Sequence, residues 1–233
     1  MAPRIWGDAR RIERCGSPAD QGRHGAPAPH RLPRAGWDHP GVTAPCLLYD
    51  FNSPYAYLAF ARAEAVLGPG VELQPVALAF MLRAHDRTPW SLTDEETRAA
   101  GMRQCEQRAE RYGLPALRWP PDWPVGSYAL APLRAALVAR GHGALRAFSQ
   151  AAFARHFADG LPLTAPEDLD VVALAAGLDP AVVRAGVEDP AIKQALTDAT
   201  RAALDLGAVG VPTTVVGDAL FWGDDRLEDA AAA

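Results

Sequence analysis

The chain has 233 residues, 49% of them hydrophobic and 22% charged, with a formal net charge of −5, so it can bury a core of its own. No stretch is apolar for long enough to span a bilayer, and Met1-Ala2-Pro3-Arg4-Ile5-Trp6 lacks the apolar run of a secretory signal. The acidic balance argues against nucleic acid as a partner.

Charge and composition divide the chain unevenly. Residues 1–45 hold seven Arg against four acids and seven of the 21 prolines, with no hydrophobic period, leaving about −8 on the rest. Residues 1–44 are therefore expected to be a disordered or mispredicted N-terminal extension. His24, His30 and His39 within it are too irregularly spaced for a metal tract, and no metal site is expected elsewhere. Cys15, Cys46 and Cys105 form no Cys-x-x-Cys pair, which speaks against a disulfide framework and for a reducing, cytoplasmic compartment.

Order is expected from Cys46-Leu47-Leu48-Tyr49-Asp50-Phe51, a short apolar run that predicts a buried strand. Ser53 then suits a helix N-cap with Pro54 at the first helical position, and the helix should run to Leu67 before Gly68-Pro69-Gly70. Val71–Val76 alternates like a second strand, so the opening is a strand, helix, strand crossover with parallel pairing.

Residues 77–206 read as mostly helical. Thr93-Asp94-Glu95-Glu96 and Thr164-Ala165-Pro166-Glu167 are capping-box signals, and Asp189-Pro190 opens a helix with a clean apolar stripe through Ile192, Leu196, Ala199 and Ala203. Trp119–Pro124 predicts a rigid aromatic loop, followed by Ala-rich helices over about 128–140 and 145–158. His85, His142 and His156 lack partners for a triad and are expected at the surface, whereas Cys46 and Cys105 are expected in the core. Phe80, Met81 and Trp90 read as packing residues. At the end, Val211–Val216 and Ala219–Trp222 flank Gly217-Asp218, whose Gly-first order predicts a type II′ hairpin before a terminal helix.

The expected architecture is α/β: a thioredoxin-like domain formed by residues 45–76 and 207–233, interrupted by a helical insertion over 77–206. In such a domain Ser53 occupies the place of an attacking cysteine and Ala56 that of a resolving one. A hydroxyl there forms no disulfide, yet it can hold another molecule's thiolate where helix N–H groups and the dipole favour negative charge.

Two segments carry a family resemblance: Asp50-Phe51-Asn52-Ser53-Pro54-Tyr55-Ala56-Tyr57-Leu58, and Gly210-Val211-Pro212-Thr213 followed by Phe221-Trp222-Gly223-Asp224-Asp225-Arg226-Leu227. Together they resemble the 2-hydroxychromene-2-carboxylate isomerase and kappa-class glutathione transferase branch of the DsbA-like thioredoxin superfamily. That resemblance implies a thiol-dependent isomerase or transferase that uses glutathione, or a mycothiol-type thiol, on an aromatic or conjugated small molecule. It implies that Ser53 stabilises the thiolate and that Val211 and the cis-proline Pro212 face the thiol's backbone. Asp224 and Asp225 would meet its glutamyl end with Arg226 orienting them, and relatives' assembly implies a homodimer. Trp123 and Tyr128 are candidates for the aromatic substrate's pocket. The alternatives are a noncatalytic thioredoxin-like binding module and a DsbA-like oxidoreductase, the latter disfavoured by Ser53 and Ala56.

Overall fold

The computed structural model describes residues 44–233. Expectations for the N-terminal extension, with Cys15, His24, His30 and His39, lie outside the described residues. The chain starts with β1 (Cys46–Tyr49), α1 (Pro54–Leu67) and β2 (Glu72–Pro75). β1 and β2 pair in parallel, Cys46 opposite Glu72 and Tyr49 opposite Pro75. Both strands are shorter than the apolar runs that announce them. β1 gives way at Asp50, whose carboxylate accepts the N–H groups of Asn52 (2.9 Å) and Leu78 (2.8 Å) and so turns the chain away from the ladder.

The helical block follows: α2 (Leu78–Ala84), a 3-10 turn at Trp90–Leu92, α3 (Glu95–Arg111), α4 (Ala131–Gly141), α5 (Leu145–Phe153), α6 (Pro166–Ala175), α7 (Pro180–Glu188) and α8 (Pro190–Asp205). α5 continues as a π-helical turn over Ala154–Ala158. The cap of α3 is Asp94 rather than Thr93, its carboxylate accepting from the Thr97 N–H and hydroxyl at 2.8 Å. At α6 the Asp168 carboxylate reaches back to the Ala165 N–H, again one residue beyond the expected threonine cap. Asp179-Pro180 opens α7 with the same Asp-Pro cap that opens α8.

β3 (Thr213–Val216) and β4 (Ala219–Trp222) complete one mixed sheet in the order β2-β1-β3-β4, with β3 antiparallel to both β1 and β4. β3 begins only after Pro212, which has no N–H to give a ladder. Gly217 takes φ 57° while Asp218 stays at negative φ, the pattern of the expected type II′ turn. A 3-10 turn at Asp224–Arg226 leads into α9 (Leu227–Ala231). No helix among the described residues is long and apolar enough to cross a membrane.

One aromatic cluster joins the helical block to the sheet. Phe153 of α5 lies 4.9 Å from Phe51, 5.1 Å from Phe60 and 5.7 Å from Tyr49, ring centre to ring centre. The buried Tyr49 hydroxyl shares a 2.6 Å hydrogen bond with Ser149 of α5. Each such buried side chain is worth about 1.5–3 kcal/mol, so this seam fixes the block against the end of β1 from which the Ser53 turn leaves. Cys46 and Cys105 are buried, as expected.

His156 is a correction. It is not a surface residue but 1% exposed, on the π-helical turn, with its ring against Phe157 and Nδ1 3.1 Å from the Leu161 carbonyl. Burial lowers its pKa to about 4, against the raising effects of Leu161 and Asp168. A base whose folded pKa lies below its unfolded value of 6.5 gives stability that is complete above pH 6.5 and drains as pH falls towards 4, about 3 kcal/mol in all. Urea titrations between pH 7 and 4 should therefore show a smaller loss for His156→Asn than for the parent. The comparison with the parent also cancels the opposite contribution of Asp50.

Candidate functional site

The site forms where β1 ends and α1 starts. Ser53 is the N-cap of α1, extended at φ −93° and ψ 114°, and its Oγ accepts the Ala56 N–H at 3.2 Å. With Oγ engaged as acceptor, the hydroxyl proton remains to be donated. Pro54 has no N–H, the Tyr57 N–H goes to the Ser53 carbonyl, and the Tyr55 N–H has no acceptor among the described residues. The first turn of α1 carries no acid to offset the positive end of its dipole. Ser53 is 4% exposed, so an anion beside it would be screened little by water. A hydroxyl donor, a spare backbone donor and an uncompensated helix start together suit a thiolate.

The Val211–Pro212 bond is cis, as the resemblance implies, and both residues are buried. Leu48 faces Thr213 across the β1–β3 ladder, which sets Pro212 beside the end of β1 and next to the Ser53 turn. The loop before it is held by Arg87, which donates to the Val209 carbonyl at 3.4 Å and lies 4.6 Å over the Trp222 ring. His85 Nε2 lies 3.3 Å from the Ala208 carbonyl. Gly223, at φ 126° where a side chain would be strained, donates its N–H to Pro212 O at 3.0 Å.

Asp224 departs from expectation. It is 1% exposed with both oxygens engaged: Arg108 Nη1 lies 2.6 Å from Oδ1 and the Tyr112 hydroxyl donates to Oδ2 at 3.0 Å. Burial raises its carboxyl, although Arg108 and Tyr112 both favour the charged form. A carboxylate so placed anchors the last helical segment to α3. Asp225 is exposed and shares Arg108 at 3.2 Å. Arg226 pairs with Asp229 and orients neither acid; Arg108 does that. Arg62 adds to the clasp, stacked 3.8 Å from the Tyr112 ring, donating to the Asp224 carbonyl and pairing with Glu228.

The aromatic loop also serves differently. Trp123 donates its indole N–H to the Asn52 carbonyl at 3.1 Å and packs against Trp119 and Trp90. The Tyr128 hydroxyl is buried, and burial together with the nearby Asp50 carboxylate raises its phenol. Asp50 lies beneath the turn, its pKa lifted to about 6 by burial against the two N–H groups it accepts. Phe80, expected to pack, is exposed.

Beside the turn lies an open cleft of about 600 Å³, lined by Tyr55, Trp90, Ala100, Gly101, Arg103, Gln104 and neighbouring residues of α3. Tyr55 is oriented by a 2.6 Å hydrogen bond to Gln104. A Cβ on Gly101 would come within 2.3 Å of the Trp90 ring, so the indole rests directly on the α3 backbone. Gly101→Ala should displace Trp90, reshape the cleft and cost about 1–3 kcal/mol in chemical denaturation. Its Trp fluorescence should shift with the loss of the Trp90–Trp123 contact.

Sequence reasoning pointed to Ser53, Val211 and Pro212, which the fold brings together. Nothing in the sequence distinguishes Arg108 from its neighbours Arg103 and Arg111. Asn52, inside the opening motif, shows its importance only through contacts to a loop more than 70 positions away.

Residues 47–233 match the model of the DsbA-like thioredoxin domain. A 2-hydroxychromene-2-carboxylate isomerase of Sphingobium xenophagum is 28% identical over 184 residues, 77% of this chain and 92% of that protein. A solved 2-hydroxychromene-2-carboxylate isomerase superposes with TM-score 0.71 at 21% identity, covering 81% of this chain and 92% of its own. A probable DsbA oxidoreductase of Streptomyces coelicolor does so at 0.63 and 26%, covering 81% and 88%. With a domain match that runs from β1 through α9 and a cis-proline beside the start of α1, the chain belongs to the DsbA-like thioredoxin family.

Proposed function

We propose that the protein is a thiol-dependent isomerase acting on aromatic or conjugated small molecules, of the 2-hydroxychromene-2-carboxylate isomerase kind, with glutathione or a mycothiol-type thiol as cofactor. The observation that carries this reading is Ser53: a buried N-cap hydroxyl with its proton to give, where redox relatives need a cysteine. The residues fit such a thiol, since the Ser53 hydroxyl and the Tyr55 N–H can both donate to a sulfur anion, and Val211 can meet the thiol's peptide as a strand-like partner. When bound, the thiol supplies a nucleophilic sulfur that adds reversibly to a conjugated carbon, so that a double bond can turn.

The chain's own part is electrostatic and positional. Ser53 and the α1 start hold the sulfur anionic near neutral pH, and burial keeps competing water away. Tyr55 and Trp90 give the neighbouring cleft an aromatic wall for the acceptor, with Arg103 at its rim. Since the thiol is regenerated, no resolving cysteine is needed, and Ala56 is consistent with that. The same absence makes a DsbA-like disulfide exchange a poor fit, despite the likeness to a DsbA oxidoreductase.

The test is turnover of 2-hydroxychromene-2-carboxylate followed by ultraviolet absorbance, with and without each thiol. Isomerisation that requires added glutathione or mycothiol is expected. Thiol binding without any isomerisation would instead favour a binding module.

A further inference from the structure

Asn52 makes an unusual set of bonds for a turn residue. Its Nδ2 donates to the Pro124 carbonyl at 2.9 Å, its Oδ1 accepts from the Ser127 hydroxyl at 2.8 Å, and its carbonyl accepts from Trp123 at 3.1 Å. All three partners lie in the stretch from Trp123 to Ser127. The Ser53 N–H at the other end of the same peptide unit donates to Asp50 O at 3.1 Å. Both polar ends of the Asn52–Ser53 peptide are therefore tied, one to the loop and one to the end of β1. A peptide plane held at both ends, with Ser53 set at φ −93° by its place as the α1 N-cap, fixes the direction in which the Ser53 Cα–Cβ bond leaves, and that bond carries Oγ.

The loop side is itself braced. Trp123 packs at 4.6 Å on Trp119 and 5.5 Å on Trp90, whose ring rests on Gly101 of α3. A chain of contacts thus runs from the α3 backbone to the Ser53 peptide.

We infer that Asn52 is a positioning residue: its side chain pins the Trp123–Ser127 loop through Pro124 and Ser127, which keeps the Trp123 indole on the Asn52 carbonyl and so aims the Ser53 hydroxyl at the bound thiol's sulfur. This rests on the thiol-dependent reading above. The hydrogen bond at stake is to a charged sulfur, so its misalignment should appear in the ionisation of the bound thiol more than in the amount bound.

The test is a pH titration of thiolate ultraviolet absorbance in protein saturated with glutathione, or with mycothiol if that is the thiol bound. Wild type should lower the thiol's pKa below its free value. Asn52→Ala should return it upwards by about one pH unit, the scale of a charge-assisted hydrogen bond, with affinity for the un-ionised thiol, measured at a pH below the bound pKa, changed less than threefold. Ser127→Ala breaks one of the same bonds from the loop side and keeps the test open should Asn52→Ala fold poorly. It should shift the pKa in the same direction, and the double variant should shift it no further than Asn52→Ala alone.

An unchanged thiol pKa in both folded single variants, against a lowered one in wild type, would overturn the assignment of Asn52 and leave the thiol-dependent reading standing. Wild type that lowers the pKa of neither thiol would overturn both.

Discussion

Ser53→Ala should cut thiol-dependent turnover about tenfold to a hundredfold while leaving the fold in place. The kinetic figure follows from losing one hydrogen bond to a developing or full charge, worth about 1.5–3 kcal/mol. The structural cost is that of a helix cap: Ser53 Oγ accepts one N–H at 3.2 Å, and its removal should lower stability by about 1 kcal/mol. The two effects are separable, because capping uses the oxygen's lone pair and thiolate stabilisation uses its proton. Ser53→Cys makes a useful companion, since it restores a sulfur at the redox position but leaves Ala56 beside it. Given the thiol's oxidised disulfide, it should exchange to a mixed disulfide and release one equivalent of free thiol rather than form an internal bridge. If Ser53→Ala turned over like the parent, the serine would be a cap and nothing more.

The largest stability effect should come from Asp224. Asp224→Ala leaves Arg108, whose side chain is 18% exposed, without its 2.6 Å partner, and leaves the Tyr112 hydroxyl without an acceptor. Removing one member of a buried pair costs about 3–5 kcal/mol in general, and Asp225, already 3.2 Å from Arg108, should hold the loss near 3. Asp224→Asn keeps hydrogen-bonding atoms and should fall between parent and alanine in urea unfolding. The functional consequence follows from connectivity. Gly223, the residue before it, donates to Pro212, so loosening the clasp loosens the hold on the cis-proline segment. Thiol affinity should therefore weaken in Asp224→Ala. Undiminished affinity in a folded Asp224→Ala protein would disconnect the clasp from the site.

The sheet and the placement of Ser53 were legible in the sequence because they depend on local rules. A short apolar strand run, a Ser-Pro helix start, a Gly-rich stop and a Gly-Asp hairpin each act within a few residues, and all four elements appear. The boundaries were less legible. The Asp50 side chain ends β1 early by accepting the N–H of Leu78, 28 positions on. The cap slipped by one residue at α3 because Asp94 takes the Thr97 N–H while the Thr93 hydroxyl donates to the Trp90 carbonyl at 2.8 Å.

What periodicity does not convey is which polar side chains meet across the fold. Asp224 reads as an acid for the thiol's glutamyl end, and only the fold shows Arg108 and Tyr112 of α3 and its end around it. Trp123 reads as an aromatic wall until its N–H is traced to Asn52. His156 shows no sign of burial in the sequence, because the π-helical turn that rotates it inward breaks the period used to assign faces. These are tertiary partnerships, set by packing of the helical block on the sheet.

The central claim is that the start of α1 holds a thiol as its anion. Calorimetry of glutathione and mycothiol binding in buffers of different ionisation heat measures it directly, because a thiol that ionises on binding releases a proton the buffer takes up. Binding of one thiol with proton release near neutral pH, much reduced in Ser53→Ala, is the expected result. Absence of binding by either thiol at millimolar concentration, or binding with no proton release, would contradict it.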